Sequence, residues 1–460
     1  MRLWFFLIAL LSPINLYADA MLDHEAPRLS ASQSIGNQKI ILDKAVYADQ
    51  LEGFWLATCI GNWTGLITEM DKIGGEGPHG TFYTRDDWGQ PDQPNIWDKG
   101  QPSKISPIID FVLLEPDEIW GADDDTDIEY IYQYYLSQTD KTILSGDDVR
   151  QAWITHIYDE TKPTPYGPDE DRYQNYLWVS NQQAHSLMLD GMSPPDTSAP
   201  IVNPHWDMID AQLTTEIFGL YAPGHPDLAL QLAEAPISAT ARGGAAEAAR
   251  FYVVMFSLAS SPQLRHMDMK SKILWMADQA QSYLPSDSYT SAMYDFVKSG
   301  YEAGKPWEQL RDQLYLKYQV HQEDGYDISS RDLYCNGCFA AGINFAASLV
   351  SLFYGEGDLQ KTIKIGSLAG WDSDNPTATW AGLIGFMMGK AQVEASFGKP
   401  LSETFHIHRT RKGFPNDGID TFSAMAEAGI GIIDNVVTRH LKGQVDPLKN
   451  KWVFDHPVLK

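Results

Sequence analysis

Cysteine is nearly missing from this 460-residue chain, which has only Cys59, Cys335 and Cys338. A disulfide scaffold is therefore excluded, and a hydrophobic core must hold the fold together. Cys335 and Cys338 have CxxC spacing, but neither a βαβ context nor a second ligand pair accompanies them. They read as a local disulfide or as two plain thiols, not as a redox or zinc centre. Positive charge is also scarce, with 34 Lys+Arg against 61 Asp+Glu and a net charge of -27. Such a surface repels phosphate backbones and anionic lipid, which excludes nucleic-acid and membrane-surface binding as leading functions. Beyond the N-terminus no apolar run approaches the ~20 residues of a membrane span. Strand-like alternation is rare, and no twelve-residue EF-hand pattern occurs.

Hydrophobic residues make up 43% of the chain, enough for a large core. The N-terminus has its own pattern: basic Arg2, an apolar run from Leu3 to Leu11, then Ala18, Asp19 and Ala20 as a small-x-small cleavage site. That order predicts a signal peptide over residues 1–20 and an exported protein, periplasmic or secreted. An N-terminal segment over 21–44 and a single large domain over 45–460 are expected to follow. Helical patterns dominate the domain. They run from Asp43 to Trp63, Ile128 to Ser137, Met208 to Leu220, Leu228 to Ala235, Ala245 to Ala259 and Ser271 to Tyr283. They continue from Tyr289 to Ser299, Trp307 to Tyr318, Phe339 to Tyr354 and Thr377 to Phe397. Ser145 is placed to cap another helix through Val149, Trp153 and Ile157. Ala378, Ala381, Gly382, Gly385 and Gly389 make a small-residue face. Glycine costs a helix about 1 kcal/mol relative to alanine, so that face implies helices packed at short range around something buried.

The stretch from Gly74 to Ser106 is loop-like and aromatic, and loops of such length tend to be functional. Trp88 and Trp97 in it are open to either packing or substrate stacking. His406 and His408 lack evident ligand partners and read as surface or core histidines.

Two acidic turns carry the chemistry. The first runs from Gly121 to Asp127 (GADDDTD), with four carboxylates in five residues directly ahead of a helix. Taken alone it could be an acidic helix start favoured by the macrodipole. Buried together, these acids would repel unless a cation lay among them, and hard cations take carboxylate and hydroxyl oxygens. The second runs from Gly370 to Thr377 (GWDSDNPT), with Asp372 and Asp374 two apart, Asn375 adding an amide oxygen and Pro376 opening a helix. Because the helix behind it is almost entirely apolar or small, this turn is expected to be buried and charge-compensated.

These residues resemble the ADP-ribosylglycohydrolase family. The resemblance rests on Gly61 to Gly65 (GNWTG) with Glu69, on Asp123 to Thr126, and on the late turn from Gly370 to Asn375. The tract from Asn203 to Gly224 and the run from Tyr354 to Asp358 are similar to a bacterial branch of that family. Order and spacing agree over roughly residues 45 to 440. The resemblance implies an all-α fold, a single multi-helix orthogonal bundle with a central di-metal cleft. It implies two Mg²⁺ ions, with Mn²⁺ or Ca²⁺ as substitutes. Asp123, Asp124, Asp125, Asp372, Asp374 and Asn375 would be ligands, and Glu69 and Asp124 the catalytic residues. The implied reaction is cleavage at the anomeric ribose carbon of ADP-ribose-type or related ribosyl conjugates, on a small molecule or an ADP-ribosylated protein. Asn62 stands where the family commonly has Asp, Asp123 where many members have Thr, Asn375 where Thr is usual, and Ala239 near a frequent His. A catalytically silent nucleotide- or sugar-binding protein on the same fold is the competing reading. A metal-free two-carboxylate glycosidase is the third.

Overall fold

The computed structural model describes residues 39–97, 100–168, 173–327, 335, 337–446, 448–457 and 459. The expected signal peptide lies outside the described residues, as does most of the 21–44 segment. The unit that begins at Lys39 is mainly helical.

Strand β1 (Lys39–Asp43) leads straight into helix α1 (Lys44–Gly65), and the Asp43 carboxylate caps it by accepting from Ala45 N at 3.0 Å. Then come α2 (Asp124–Ser137), α3 (Gly146–His156), α4 (Val179–Leu189) and the short α5 (Ile217–Tyr221). The middle of the chain forms α6 (Pro226–Thr240), α7 (Gly243–Leu258), α8 (Met269–Gln281), α9 (Tyr289–Glu302) and α10 (Trp307–Leu314). The last third gives α11 (Ala341–Gly355), α12 (Leu359–Ala369), α13 (Asp374–Met388), α14 (Lys390–Phe397) and α15 (Phe422–Arg439). Small strands β2 (Thr404–His406) and β3 (Ile419–Thr421) pair antiparallel. The ends of the domain meet in a second antiparallel sheet of order β1-β5-β4, from β4 (Gln444–Asp446) and β5 (Lys451–Asp455).

The expected all-α architecture holds, with these strands as minor additions. Ser145 caps α3, its hydroxyl accepting from Asp148 N. Two expected helices need correction. The pattern from Met208 to Leu220 is not one helix but a 3₁₀ turn at Ile209–Gln212 followed by α5. Asp210 in that turn accepts from Asn181 N at 2.6 Å, a tertiary bond that local propensity does not encode. The pattern from Thr377 to Phe397 breaks into α13 and α14 at Gly389, which has φ 79°. With ψ 157° as well, Gly389 lies outside the helical region in a conformation that favours glycine, so the chain leaves the helix there. Helices α4, α12 and α15 were not among the expected elements.

The small-residue face does what its spacing implies. Helix α1 is buried along most of its length and lies against α13. A Cβ on Gly61 would come within 2.9 Å of Ala378 Cα, and one on Gly65 would run into the backbone of Asp374. Absence of side chains thus lets α1 deliver Asn62, and the turn after it Glu69, beside the N-terminus of α13. Among the described residues no helix is long and apolar enough to cross a membrane.

Candidate active site

Both acidic turns open into one cavity of about 410 Å³, whose wall also carries Glu69. Glu69 stands in the turn after α1. Asp123 caps α2 by accepting from Thr126 N at 3.0 Å, and Asp124 and Asp125 occupy the first turn. Asp372 precedes α13, and Asp374 is its first residue. The N-termini of α2 and α13 therefore both present their partial positive charge to these carboxylates.

Amide side chains join the two turns. Asn62 Nδ2 donates to Asp123 at 2.6 Å and to Asp374 at 3.3 Å. Asn375 Nδ2 donates to Asp125 at 3.2 Å, across 250 residues of sequence. Asn181, at the start of α4, donates to Asp124 at 2.9 Å and to Asp125 at 2.7 Å. One carboxylate oxygen from each of Glu69, Asp372 and Asp374 lies within 4.8 Å of the other two.

The electrostatic consequence is severe. Burial, then Asp372, Asp123 and Asp124, hold the Glu69 carboxyl well above the usual carboxylate range. Burial, then Glu69 and Asp372, do the same to Asp374. Burial, reinforced by Asp124, Asp123 and Asp210, raises Asp125. Burial above all pushes Asp372 up to about 7 and Asp124 up to about 6. Such a group of acids accommodates protons or cations. The donor set fits a hard divalent cation. Asp374 Oδ1, Asn375 Oδ1 and Asp210 Oδ2 are buried oxygens without a hydrogen-bond partner, the atoms such an ion would satisfy. The carboxylate cluster of Glu69, Asp372 and Asp374 can hold a metal ion.

Other walls were not legible beforehand. Asp210 and Asn181 belong to the cavity; Asp210 falls inside the family-like tract from Asn203 to Gly224 without having been singled out, and Asn181 has no motif around it. His408, which from its sequence reads as a surface or core histidine, lies on the wall as well. Burial, then Arg411 and Arg409, push its imidazole down to about 3, so it is neutral and accepts from Arg409 Nη1 at 3.0 Å. Asp127 is on the same wall and pairs with buried Arg411 at 3.0 Å. Trp97, Trp178 and Phe339 form an aromatic rim, Trp97 lying near-parallel to Trp178 at 6.4 Å and to Phe339 at 5.8 Å. Trp88 instead packs against Phe111 at 4.9 Å. Cys335 and Cys338 form a disulfide with each other.

The sequence model of the family described as ADP-ribosylglycohydrolase matches residues 43–427. The chain belongs to that family. A solved chain titled "ADP-ribosylglycohydrolase-related protein complex" is 12% identical, with a TM-score of 0.47 over 85% of this chain and 99% of the other. No curated protein matches the sequence. As an ADP-ribosylglycohydrolase-family member the chain is a glycohydrolase, and the cavity just described is where its carboxylates converge.

Proposed function

We propose that this chain is a magnesium-dependent hydrolase that cleaves the glycosidic bond at the anomeric ribose carbon of ADP-ribose-type or related ribosyl conjugates. The observation that carries this reading is the convergence of Glu69, Asp372 and Asp374, with oxygens mutually within 4.8 Å, in a cavity shared with Asp123, Asp124 and Asp125. Asp123, Asp124, Asp125, Asp372, Asp374 and the Asn375 amide oxygen would hold two Mg²⁺ ions, with Mn²⁺ or Ca²⁺ able to substitute. Bound metal supplies a Lewis acid and a water of lowered pKa.

The side chains do the rest. Glu69, whose carboxyl retains its proton more strongly than an ordinary glutamate, is the group to give a proton to the leaving group or take one from the attacking water. Asp124 is held by Asn181 Nδ2 at 2.9 Å and Trp178 N at 3.3 Å, which fixes one of its oxygens and aims the carboxylate into the cavity. It serves as the partner base. Trp97 and Trp178 offer flat apolar faces at the mouth for a planar part of the substrate, while Phe339 helps exclude water. From the order of residues 1–20 we place the activity outside the cytoplasm, periplasmic or secreted.

The test is release of ADP-ribose from a peptide modified on arginine or serine, with and without EDTA. Chelation should abolish turnover and Mg²⁺ should restore it. Turnover that ignores EDTA would reject the metal mechanism, and binding without turnover across a panel of ribosides would favour the silent binding protein.

A further inference from the structure

Among the described residues, the segment after α10 is the one place where helical geometry changes pitch without a break. Tyr315–Val320 forms a π-helical turn. Such turns are rare, and inserting one residue rotates everything after it by about 100° relative to a continuing α-helix. Here the rotation matters for Gln319, which is fully buried. Its amide nitrogen donates to Ile73 O at 3.1 Å, and its amide oxygen accepts from Trp371 Nε1 at 2.6 Å.

Those two partners belong to the two segments that bear the converging acids. Ile73 lies four residues after Glu69, just beyond the turn that carries it, and Trp371 immediately precedes Asp372. The same segments are already laced by backbone bonds, Met70 N to Trp371 O at 2.9 Å and Trp371 N to Lys72 O at 2.7 Å. Trp371 sits at φ 59°, a left-handed conformation that a tryptophan adopts only when its surroundings hold it. Phe82 packs against its indole at 4.6 Å, and Gln319 fixes its outer edge.

We propose that Gln319 is a positioning residue that sets the separation between Glu69 and the Asp372–Asp374 turn, and through it the affinity of the site for divalent metal. This rests on the reading above that these carboxylates hold the ion. An amide is suited to the task because one face donates and the other accepts, so it links a carbonyl to an indole N–H without adding charge beside a cluster of acids. Losing it would leave the Trp371 indole N–H unpaired in the interior and free the Trp371 turn to relax.

The experiment is calorimetric titration of Mn²⁺ into the chelator-treated full-length protein, for wild type, Gln319→Met, Trp371→Phe and the double variant. Each single substitution is expected to weaken Mn²⁺ binding about 10-fold, in line with other residues that orient metal ligands without touching the ion. Because both remove the same hydrogen bond, the double variant should be no weaker than the worse single one. Trp371→Phe keeps the aromatic packing, so it decides the matter alone if Gln319→Met does not fold. Variants that unfold cooperatively yet bind Mn²⁺ within about twofold of wild type, or penalties that simply add, would overturn the role of Gln319. A wild-type protein that takes up no Mn²⁺ would overturn the metal reading itself.

Discussion

Asn375 of α13 donates its side-chain amide to Asp125 of α2 at 3.2 Å, so a late turn and an early one are stapled by a neutral group. Asn62 makes the same kind of link between Asp123 and Asp374. Amides at these positions supply donors where aspartates would add repulsion, and their buried carbonyl oxygens have no hydrogen-bond partner.

Removing that link should be felt most without metal. Asn62→Ala is expected to destabilise the chelator-treated protein by about 1–3 kcal/mol, the scale of leaving buried polar groups unpaired. Saturating Mg²⁺ should recover much of the loss, because the ion would neutralise the Asp123 and Asp374 carboxylates that lack their amide donor only in the variant, so the variant gains more from the ion than wild type does. Thermal unfolding with and without Mg²⁺ checks this, and a deficit identical in both conditions would contradict it.

The approach of α1 to α13 gives a second prediction. Gly65→Ala places a methyl against the backbone of Asp374. Overpacking of this kind costs about 1–3 kcal/mol. Moving Asp374 should also weaken Mg²⁺ binding, whereas Gly431→Ala, where the structure is open, should change neither. Both variants can be compared by denaturant melts and metal titration.

A third concerns pH and lies behind the site. Glu216 is buried, and burial above all pushes its carboxyl up to about 8, with Asp123 adding to the rise and Thr379 opposing it. Glu129, which faces it, is likewise raised by burial and by Glu216 itself, and Tyr252 is the other titratable neighbour. A carboxyl raised above its unfolded value is protonated in the folded protein. Its contribution is therefore complete below about pH 4.5 and is lost as pH rises through 8. Glu216→Gln should flatten the fall in melting temperature between pH 6 and 9, measured in constant Mg²⁺. Parallel curves for variant and wild type would refute the assignment.

The aromatic rim gives the fourth. Trp97 is 47% exposed and makes its ring contacts with other rim residues, so Trp97→Ala should leave the melting temperature nearly unchanged. Loss of one aromatic contact worth about 0.5–1.5 kcal/mol should raise KM several-fold while kcat changes little. A drop in kcat at constant KM would instead place Trp97 in the chemical step.

Local order in the chain determined a good deal. Acids beside helix starts, Ser145 as a cap and the small-residue face of α13 all follow from short-range rules, because caps, macrodipoles and close helix contacts depend on residues a few positions apart. The helical class was legible for the same reason. What only the tertiary structure decided is which distant groups share a cavity. Asn181 carries no local mark, nothing inside the tract from Asn203 to Gly224 picks out Asp210, His408 looks like any histidine, and Gln319 matters only because a π turn aims it at two segments far from it in sequence. Convergence of that kind is a property of packing between helices, whose through-space partners no window of neighbouring residues contains.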